Sequence, residues 1–400
     1  MKEQIYDFDG LVQRKGTDSV KWDGMHPIWG RDDLLPMWVA DMDFKTPPFI
    51  LEALKHQLEQ GVLGYTMPSP EWAPTLCDWL ARRHKWTVKP QQLTFVSGIV
   101  RGLAYALLCL TQPKDRVLVM SPVYHPFFLV TQRLDRQVVY SPLQIVNQRF
   151  ELDFCRLRQD IKGCKVMILC NPHNPGGRVW SREELQTIAT ICHQEGVLVI
   201  SDEIHADLTL PGYRHIPYAN VSAEAAAHSI TFMAPSKTFN IPGVASSFAV
   251  TLDDTLRQRF QSFMEAGEFG SGHMFAYTAA VAAYRHGEAW LAQLLAYLDE
   301  NIRFTEQFLK DHVPGISMMR PQASFLIYLD CRELHLSQKD LVQHFVEAGL
   351  ALNDGSMFGP EGEGFMRLNV ACPRSVLAEA LGRLASCGGG RRFEGNGSID

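Results

Sequence analysis

The chain has 400 residues, of which 46% are hydrophobic and 20% are charged, and its formal net charge is −6. This composition is typical of a folded globular protein and excludes global disorder. The charge leaves no basic excess for a phosphate backbone, and no apolar run approaches the ~20 residues of a membrane span, so we expect neither a nucleic-acid nor a membrane partner.

Nine cysteines are scattered along the chain without a C-x-x-C pair, and several lie within apolar runs, such as Cys109 and Cys170. Dispersed thiols of this kind are typical of reduced, mostly buried cysteines. The N-terminal residues are acidic and polar and lack the basic-then-apolar order of a secretory signal. We therefore expect a cytoplasmic protein.

Residues 1–45 contain many Trp, Asp and Pro and little periodicity, and we expect an N-terminal arm that also forms part of a small domain. Residues 46–285 alternate short, continuously apolar runs with helical patterns, which is typical of parallel strands buried on both faces. This predicts a large α/β domain with a mostly parallel, doubly wound sheet. Its predicted strands are Leu93–Val96, Val117–Met120, Val166–Leu169, Val197–Ile200, Ile230–Met233 and Phe248–Val250.

Within this domain, Ser181 and Glu184 have the spacing of a capping box and predict the start of a helix. Beyond about residue 285 the pattern changes to a long amphipathic stretch, two strands at 324–329 and 365–370, and a helix from about Ser337. We expect a smaller α+β domain over residues 286–387. Residues 388–400 are Gly-rich and polar, which predicts a disordered tail.

Polar residues follow three of the predicted strands, at the sheet edge where open α/β sheets bind ligands. They are Asn174 in an N-P-H-N-P-G-G turn, Asp202, and Lys237. The glycine-rich fingerprints of dinucleotide and Walker-type sites are absent. His205 and Asp207 could join Asp202 on a metal ion, but no second cluster completes such a set, so we expect no metal site.

Each of these three residues has a functional and a structural interpretation. Desolvation at a strand end can lower the pKa of Lys237, which suits Schiff-base chemistry, although a surface lysine is the alternative. Asp202 could pair with a protonated ring nitrogen or cap a helix. The amide of Asn174 could bind a ligand oxygen, or the residue could serve only the turn.

Three further positions are weaker candidates when taken alone. The residues around Gly98 open an apolar helix, and backbone N–H groups at such a start can bind phosphate. Tyr124 could stack on a planar ring or pack in the core. Arg367 shares a strand face with Asn369, and its guanidinium could bind a carboxylate or face solvent.

Taken in chain order, these residues make the sequence resemble fold-type I pyridoxal-5′-phosphate (PLP) enzymes, the aspartate aminotransferase superfamily. Within it the sequence is similar to the MalY/PatB branch of cystathionine β-lyases, or C–S lyases, from about Tyr6 to Leu384. The motifs that carry this resemblance are Arg14-x-Gly-Thr17, Lys21-Trp-Asp23, Leu-Pro-Met-Trp-Val-Ala-Asp-Met-Asp-Phe44, Gly64-Tyr65, Ser-Asp-Glu-Ile-His205 and Ser-Lys-Thr-Phe-Asn-Ile-Pro-Gly243.

The resemblance implies PLP as the cofactor and fold type I as the fold. Lys237 would form the Schiff base with PLP and act as acid and base at the substrate Cα. Asp202 would pair with the ring nitrogen, Asn174 would hydrogen-bond the phenolic oxygen, and Tyr124 would stack on the ring. The remaining cofactor contacts would come from Gly98, Ile99, Val100, His205 and Ser236.

The resemblance also implies how substrate and a second subunit would be bound. Arg367 would bind the substrate α-carboxylate, and Val39 and Ala40 would line the substrate pocket. Tyr65 would reach the cofactor phosphate and the substrate from the neighbouring subunit and take part in catalysis. A homodimer with sites at the subunit interface is therefore expected.

The sequence departs from the common aminotransferase pattern at three positions. His205 stands where many aminotransferases have Tyr, and Ala245 and Ala234 replace residues that often contact the phosphate. His205 favours the lyase branch. We expect a C–S β-lyase that converts L-cystathionine or related cysteine S-conjugates to a thiol, pyruvate and ammonia. An aminotransferase of the same fold and a PLP-binding protein with an added regulatory role are the alternatives.

Overall fold

The computed structural model describes residues 4–388. The N-terminal segment is mostly irregular and contains three short elements: α1 (Val20–Asp23), α2 (His26–Trp29) and β1 (Leu35–Pro36). Leu35 pairs in parallel with Leu350, which lies far along the chain. The segment is thus attached to the C-terminal part of the structure by a short sheet.

The centre of the molecule is a sheet of seven strands in the order β2-β10-β9-β8-β7-β3-β4, in which only β10 runs antiparallel to its neighbours. The strands of this region, with the β5–β6 hairpin, are β2 (Leu93–Val96), β3 (Arg116–Val119), β4 (Gln137–Tyr140), β5 (Gln144–Val146), β6 (Arg149–Glu151), β7 (Cys164–Cys170), β8 (Leu198–Asp202), β9 (Ser229–Met233) and β10 (Ser247–Val250). The helices are α3 (Pro48–Glu59), α4 (Trp72–His84), α5 (Ile99–Leu110), α6 (Pro126–Arg133), α7 (Phe154–Asp160), α8 (Arg182–Glu195), α9 (Ala223–Ala227), α10 (Pro235–Thr238), α11 (Asp254–Ala266) and α12 (Met274–His286).

The six predicted strands of this sheet are present, with ends that differ by up to two residues. Strand β4 was not predicted because it is the edge strand, whose side chains are exposed or half-buried and form no continuous buried run. The predicted capping box is also present: Ser181 Oγ accepts the Glu184 N–H at 3.2 Å, and Glu184 Oε2 accepts the Ser181 N–H at 2.6 Å. The mostly parallel α/β fold is confirmed.

A second, antiparallel sheet of four strands has the order β11-β12-β15-β14. The strands of the C-terminal part are β11 (Ser317–Met319), β12 (Leu326–Asp330), β13 (Leu350–Ala351), β14 (Asn353–Asp354) and β15 (Phe365–Asn369). Its helices are α13 (Glu288–His312), α14 (Gln338–Glu347) and α15 (Arg374–Gly388). Helix α13 corresponds to the long amphipathic stretch predicted beyond about residue 285, and its apolar side chains, such as Trp290 and Leu298, are buried.

One apolar cluster joins the two sheets, since it contains Phe248 of β10, Trp290 of α13 and Leu368 of β15. The proposed domain limits at residues 45, 285 and 387 stay predictions. Gly388 is the last residue of α15, and the rest of the predicted tail lies outside the described residues. No helix in the described part of the chain is long and apolar enough to cross a membrane.

Candidate active site

A cavity of about 310 Å³ lies at the carboxyl ends of β7, β8 and β9. These three strands are adjacent and parallel, so the residues that follow them meet at one edge of the sheet. Ten of the thirteen residues assigned to the site from the sequence line this cavity: Ala40, Gly98, Ile99, Val100, Tyr124, Asn174, Asp202, His205, Ser236 and Lys237.

Lys237 lies on the short helix α10, which follows β9 directly. Its Nζ donates a hydrogen bond to the Ala40 carbonyl at 2.5 Å. Burial lowers the pKa of this amine to about 8, while the nearby Asp41 opposes the shift and Arg367 adds to it. A substantial fraction of the amine is therefore neutral near physiological pH, as a nucleophile or a general base requires.

Asp202 is the last residue of β8 and is buried. One carboxylate oxygen accepts the Ile204 N–H at 3.0 Å, and the other has no hydrogen-bond partner among the described residues. Burial raises the pKa of this carboxyl to about 7. A cation placed beside the second oxygen would restore the ionised form, because opposite charges favour each other in a desolvated site.

Arg367 is buried on β15, so the interpretation as a solvent-facing strand residue is wrong. Its guanidinium donates to Asn174 Oδ1 at 3.1 Å, to the Trp38 carbonyl at 3.1 Å and to Asn353 Oδ1 at 2.6 Å, whereas its Nε has no partner among the described residues. Burial lowers its pKa to about 10, which still leaves it cationic at neutral pH. A buried guanidinium without a carboxylate partner suits an anionic ligand.

The first turn of α5 forms another wall of the cavity. Gly98 has φ +123°, a backbone conformation that favours glycine, and space is open where a side chain would begin. Its N–H donates to Ser247 Oγ at 2.9 Å. The next N–H groups, from Ile99 onward, have no acceptor within the helix because they belong to its first turn. Such a helix start favours a phosphate.

Tyr124 and His205 are the two aromatic side chains that line the cavity. Burial lowers the pKa of His205 to about 3, with the cationic Lys237 acting in the same direction, so the imidazole is neutral. Its Nδ1 is buried without a partner in the described part of the protein. A neutral ring with an unused nitrogen can make one hydrogen bond to a ligand.

The segment from Trp38 to Phe44 closes the cavity from the N-terminal side. Asn369 of β15 donates to the Val39 and Asp41 carbonyls, at 2.6 and 2.7 Å. Asn240, which follows α10, donates to the Met42 and Phe44 carbonyls, both at 2.9 Å. Two asparagines, one on β15 and one in the turn after α10, therefore hold the segment whose carbonyl binds Lys237.

Ion pairs attach this segment to the rest of the N-terminal arm. Arg14 pairs with Asp41 at 2.6 Å and with Asp43 at 2.7 Å, and the fully buried Lys21 pairs with Asp43 at 2.6 Å. Burial would raise the pKa of Asp43, but these cations hold it below its usual value. The motifs around residues 14–23 and 35–44 therefore act together as one structural unit.

Three assigned residues lie outside the cavity. Arg367 contacts it through Asn174, as described above. Val39 is not among the residues that line the cavity, and its carbonyl accepts a hydrogen bond from Asn369. Its place in the substrate pocket stays a prediction. Tyr65 is fully exposed, and its predicted contact from a neighbouring subunit stays a prediction.

Several residues that line the cavity were not predicted from the sequence: Arg101, Cys170, Ile204, Pro242, Ser246 and Ser247. Ser247 was missed because β10 is antiparallel, so its amino end, not its carboxyl end, meets the cavity. Cys170 stands directly across from Asp202 in the sheet register. Arg101 brings a cation to the start of α5. Ala245, which also lines the cavity, carries no charge.

The residues present fit PLP. The free oxygen of Asp202 suits a protonated ring nitrogen, Asn174 and His205 offer polar groups for the ring oxygen, and the start of α5 suits the phosphate. Among the lining residues, Lys237 has the only amine that could bond to the aldehyde. Among the described residues, no group of three His, Cys, Asp or Glu side chains is arranged for a metal ion.

Known proteins are similar to this chain over most of its length. The family model for aminotransferase class I and II matches residues 32–384. The chain is 42% identical to the cystathionine beta-lyase PatB of Bacillus subtilis (strain 168), over 94% of this chain and 98% of PatB.

Two solved structures are similar throughout. Cystalysin from Treponema denticola, which contains PLP, has a TM-score of 0.92 at 34% identity and covers 96% of this chain and 99% of its own. The PLP-bound C–S lyase from Staphylococcus hominis has a TM-score of 0.90 at 32% identity, over 96% of this chain and 98% of its own.

Proposed function

The chain belongs to the aminotransferase class I and II family, and we propose that it is a PLP-dependent C–S β-lyase acting on L-cystathionine or related cysteine S-conjugates. The products are a thiol, pyruvate and ammonia. The observation that carries this proposal is the single cavity in which Lys237, Asp202 and Asn174 meet, with Arg367 bonded to Asn174. The likeness to cystathionine beta-lyases over almost the full chain supports the reaction class.

Bound PLP supplies an electron-withdrawing ring, which makes the substrate Cα–H acidic and allows a thiolate to leave from Cβ. The protein must place a base at that hydrogen. Lys237 Nζ is suited to this task because its pKa of about 8 is close to physiological pH. The nitrogen would take the proton from Cα as the C–S bond breaks, and that proton would pass to the departing sulfur, so that a neutral thiol is released.

Three other side chains would hold the reacting groups in place. Asp202 would keep the ring nitrogen protonated, since its desolvated carboxylate gains most from an adjacent cation. Arg367 would bind the substrate carboxylate through its forked guanidinium and so fix the orientation of Cα. Asn174 links the two, because its Oδ1 accepts from Arg367 while its amide nitrogen can donate to the cofactor.

The assembly is proposed to be a homodimer whose sites lie at the subunit interface. The segment around Tyr65 exposes Val62, Leu63 and Met67 in addition to the tyrosine. Neighbouring apolar side chains of this kind are typical of a surface that another subunit covers. In that arrangement Tyr65 would reach the phosphate of the neighbouring site.

A reducing compartment, and thus the cytoplasm, is the proposed location. All nine cysteines are free thiols. Burial raises the pKa of several of them, including Cys192 to about 12, so they stay protonated and unreactive.

The activity is tested by incubating the PLP-loaded protein with L-cystathionine and measuring pyruvate, ammonia and free thiol separately. A lyase forms all three in equal amounts. An aminotransferase forms a keto acid and converts the cofactor to its amine form, without releasing ammonia or thiol. The second result would replace the proposed reaction with transamination. A panel of S-alkyl cysteines, scored by pyruvate, then identifies the preferred thioether.

A further inference from the structure

A second buried aspartate follows shortly after Asp202 and has no role in the mechanism above. Asp207 Oδ2 accepts a hydrogen bond from Thr238 Oγ1 at 3.0 Å. Its Oδ1 accepts from Trp79 Nε1 at 3.0 Å and contacts His84 Nε2 at 2.9 Å. The exposed fractions of Asp207, Trp79, His84 and Thr238 are 3%, 1%, 5% and 0%. The carboxylate is therefore enclosed, and both of its oxygens are hydrogen-bonded.

The charge of this group follows from its partners. Burial alone would raise the pKa of Asp207, but the hydrogen bonds from His84 and Trp79 and the positive charge of Arg83 hold it below its usual value. Burial lowers the pKa of His84. The pair therefore consists of an ionised Asp207 and a neutral His84, which donates through Nε2.

A matching pair supports the strand that ends at Asp202. His215 Nε2 lies 2.6 Å from Glu203 Oε2, and Glu203 Oε1 accepts from Ser201 Oγ and from the Tyr218 N–H, both at 2.8 Å. The His215 ring meets the His84 ring edge-on, with centroids 5.3 Å apart. We call His84, Asp207, His215 and Glu203 the histidine–carboxylate cluster. It contacts the chain neighbours of both Asp202 and Lys237.

We propose that Asp207 is a positioning residue for Lys237, acting through its hydrogen bond with Thr238, and that His84 holds Asp207 in place; this rests on the proposed function of Lys237. Thr238 is the residue next to Lys237 on α10. Because α10 has only four residues, it forms few backbone hydrogen bonds of its own. The Thr238–Asp207 bond is therefore a main constraint on the direction of the Lys237 side chain.

This constraint matters because Nζ must reach one hydrogen on the substrate Cα. In this structure the Ala40 carbonyl holds the tip of the side chain, whereas the Thr238–Asp207 bond holds the residue next to Lys237 in the chain. A small displacement of a reacting group lowers the rate of the chemical step more than it weakens binding. Arg367, which would bind the carboxylate, makes no contact with the cluster among the described hydrogen bonds. A change in the rate of the chemical step can therefore be separated from a change in substrate binding.

The experiment compares Thr238→Val, which removes the donor at nearly constant volume, with Thr238→Ser, which retains it. Thr305→Val is the matched control, because Thr305 is equally buried and donates to the Asn301 carbonyl at 2.9 Å in α13. The PLP-loaded variants are assayed for kcat and KM on L-cystathionine. Visible circular dichroism of the bound cofactor is recorded per bound PLP, since this signal reports a fixed cofactor geometry.

For Thr238→Val we expect kcat to fall at least about tenfold with KM changed less than about twofold, together with a loss of visible dichroism. Thr238→Ser and Thr305→Val should retain both properties. If Thr238→Val keeps the kcat and the dichroism of the parent protein, the proposal is overturned, even where its thermal stability has fallen.

A second pair covers the case in which Thr238→Val does not fold. His84→Gln retains a donor near the position of Nε2, and His84→Leu removes it. The leucine variant should lose visible dichroism and the glutamine variant should keep it, whereas equal signals in both would overturn the proposal. The dichroism needs only PLP, so it tests the positioning role even if the parent protein releases no pyruvate and the proposed function fails.

Discussion

Asp202 and Asp207 lie five residues apart and are both buried, yet they differ in hydrogen-bond partners and in the direction of their pKa shifts. Asp202 accepts one backbone hydrogen bond, and burial raises its pKa to about 7. Asp207 has three side-chain partners, which hold its pKa below the usual value. A carboxylate with an oxygen that lacks a partner is ready for a ligand, whereas one with both oxygens hydrogen-bonded supports the fold.

Among the residues of the cavity, Lys237→Ala should have the largest effect on kcat. Removing the proposed base should lower kcat for pyruvate release by about 10³-fold or more. The free energy of unfolding should not fall, because the change removes a desolvated amine. Steady-state kinetics and urea unfolding measure the two quantities. A rate close to that of the parent protein would remove Lys237 from the mechanism.

Asp202→Asn should lower kcat by about 10²-fold, because the amide cannot stabilise a protonated ring nitrogen. Its effect on the unfolding of the cofactor-free protein should be small or favourable, since a buried carboxylate with one partner costs free energy. A loss of stability with a parent-like kcat would mean that Asp202 is structural, and the contrast with Asp207 would disappear.

In contrast to Asp202→Asn, Asp207→Asn should lower the stability of the protein more than it lowers kcat. An amide cannot accept at both ends, so one of the donors from Trp79, His84 or Thr238 loses its partner. The free energy of unfolding should fall by about 3 kcal/mol. The decrease in kcat per folded, PLP-loaded molecule should be nearer to that of Thr238→Val than to that of Asp202→Asn. A parent-like urea midpoint would contradict the structural role.

The most gradual effect is a difference in pH dependence, because it accumulates over several pH units. The folded-state pKa of Asp202 is raised, so its contribution to stability is full below the unfolded-state value of about 4 and is lost as the pH rises toward about 7. The cofactor-free parent should therefore lose stability relative to Asp202→Asn over this window, by at most about 1.4 kcal/mol per pH unit. Thermal unfolding of both proteins at a series of pH values measures this difference. Parallel curves would contradict the raised pKa.

The strands that carry the site were predictable because burial on both faces leaves a continuous apolar run, as in Val199 and Ile200 of β8. The meeting of Asn174, Asp202 and Lys237 followed from the parallel order of those strands. The edge strand β4 leaves no such run because it is half-exposed. The direction of β10, which brings Ser247 to the cavity, is set by sheet pairing that no local pattern records.

The cluster around Asp207 could not be predicted from the sequence for a similar reason. From the sequence alone Asp207 was a weak metal-ligand candidate, because its partners Trp79 and His84 lie far away in the chain. Likewise, nothing near Ala40 in the sequence indicates that its carbonyl holds Lys237. Contacts between distant segments depend on packing, which local spacing does not encode.

The most direct test of the site is to map where PLP is attached. The PLP-loaded protein is treated with borohydride, which makes the bond between lysine and cofactor permanent, and its peptides are examined by mass spectrometry. The account predicts the added pyridoxyl phosphate mass on the peptide that contains Lys237, and no label in Lys237→Ala. Attachment to a different lysine, or no attachment in a protein that still releases pyruvate from L-cystathionine, would contradict it.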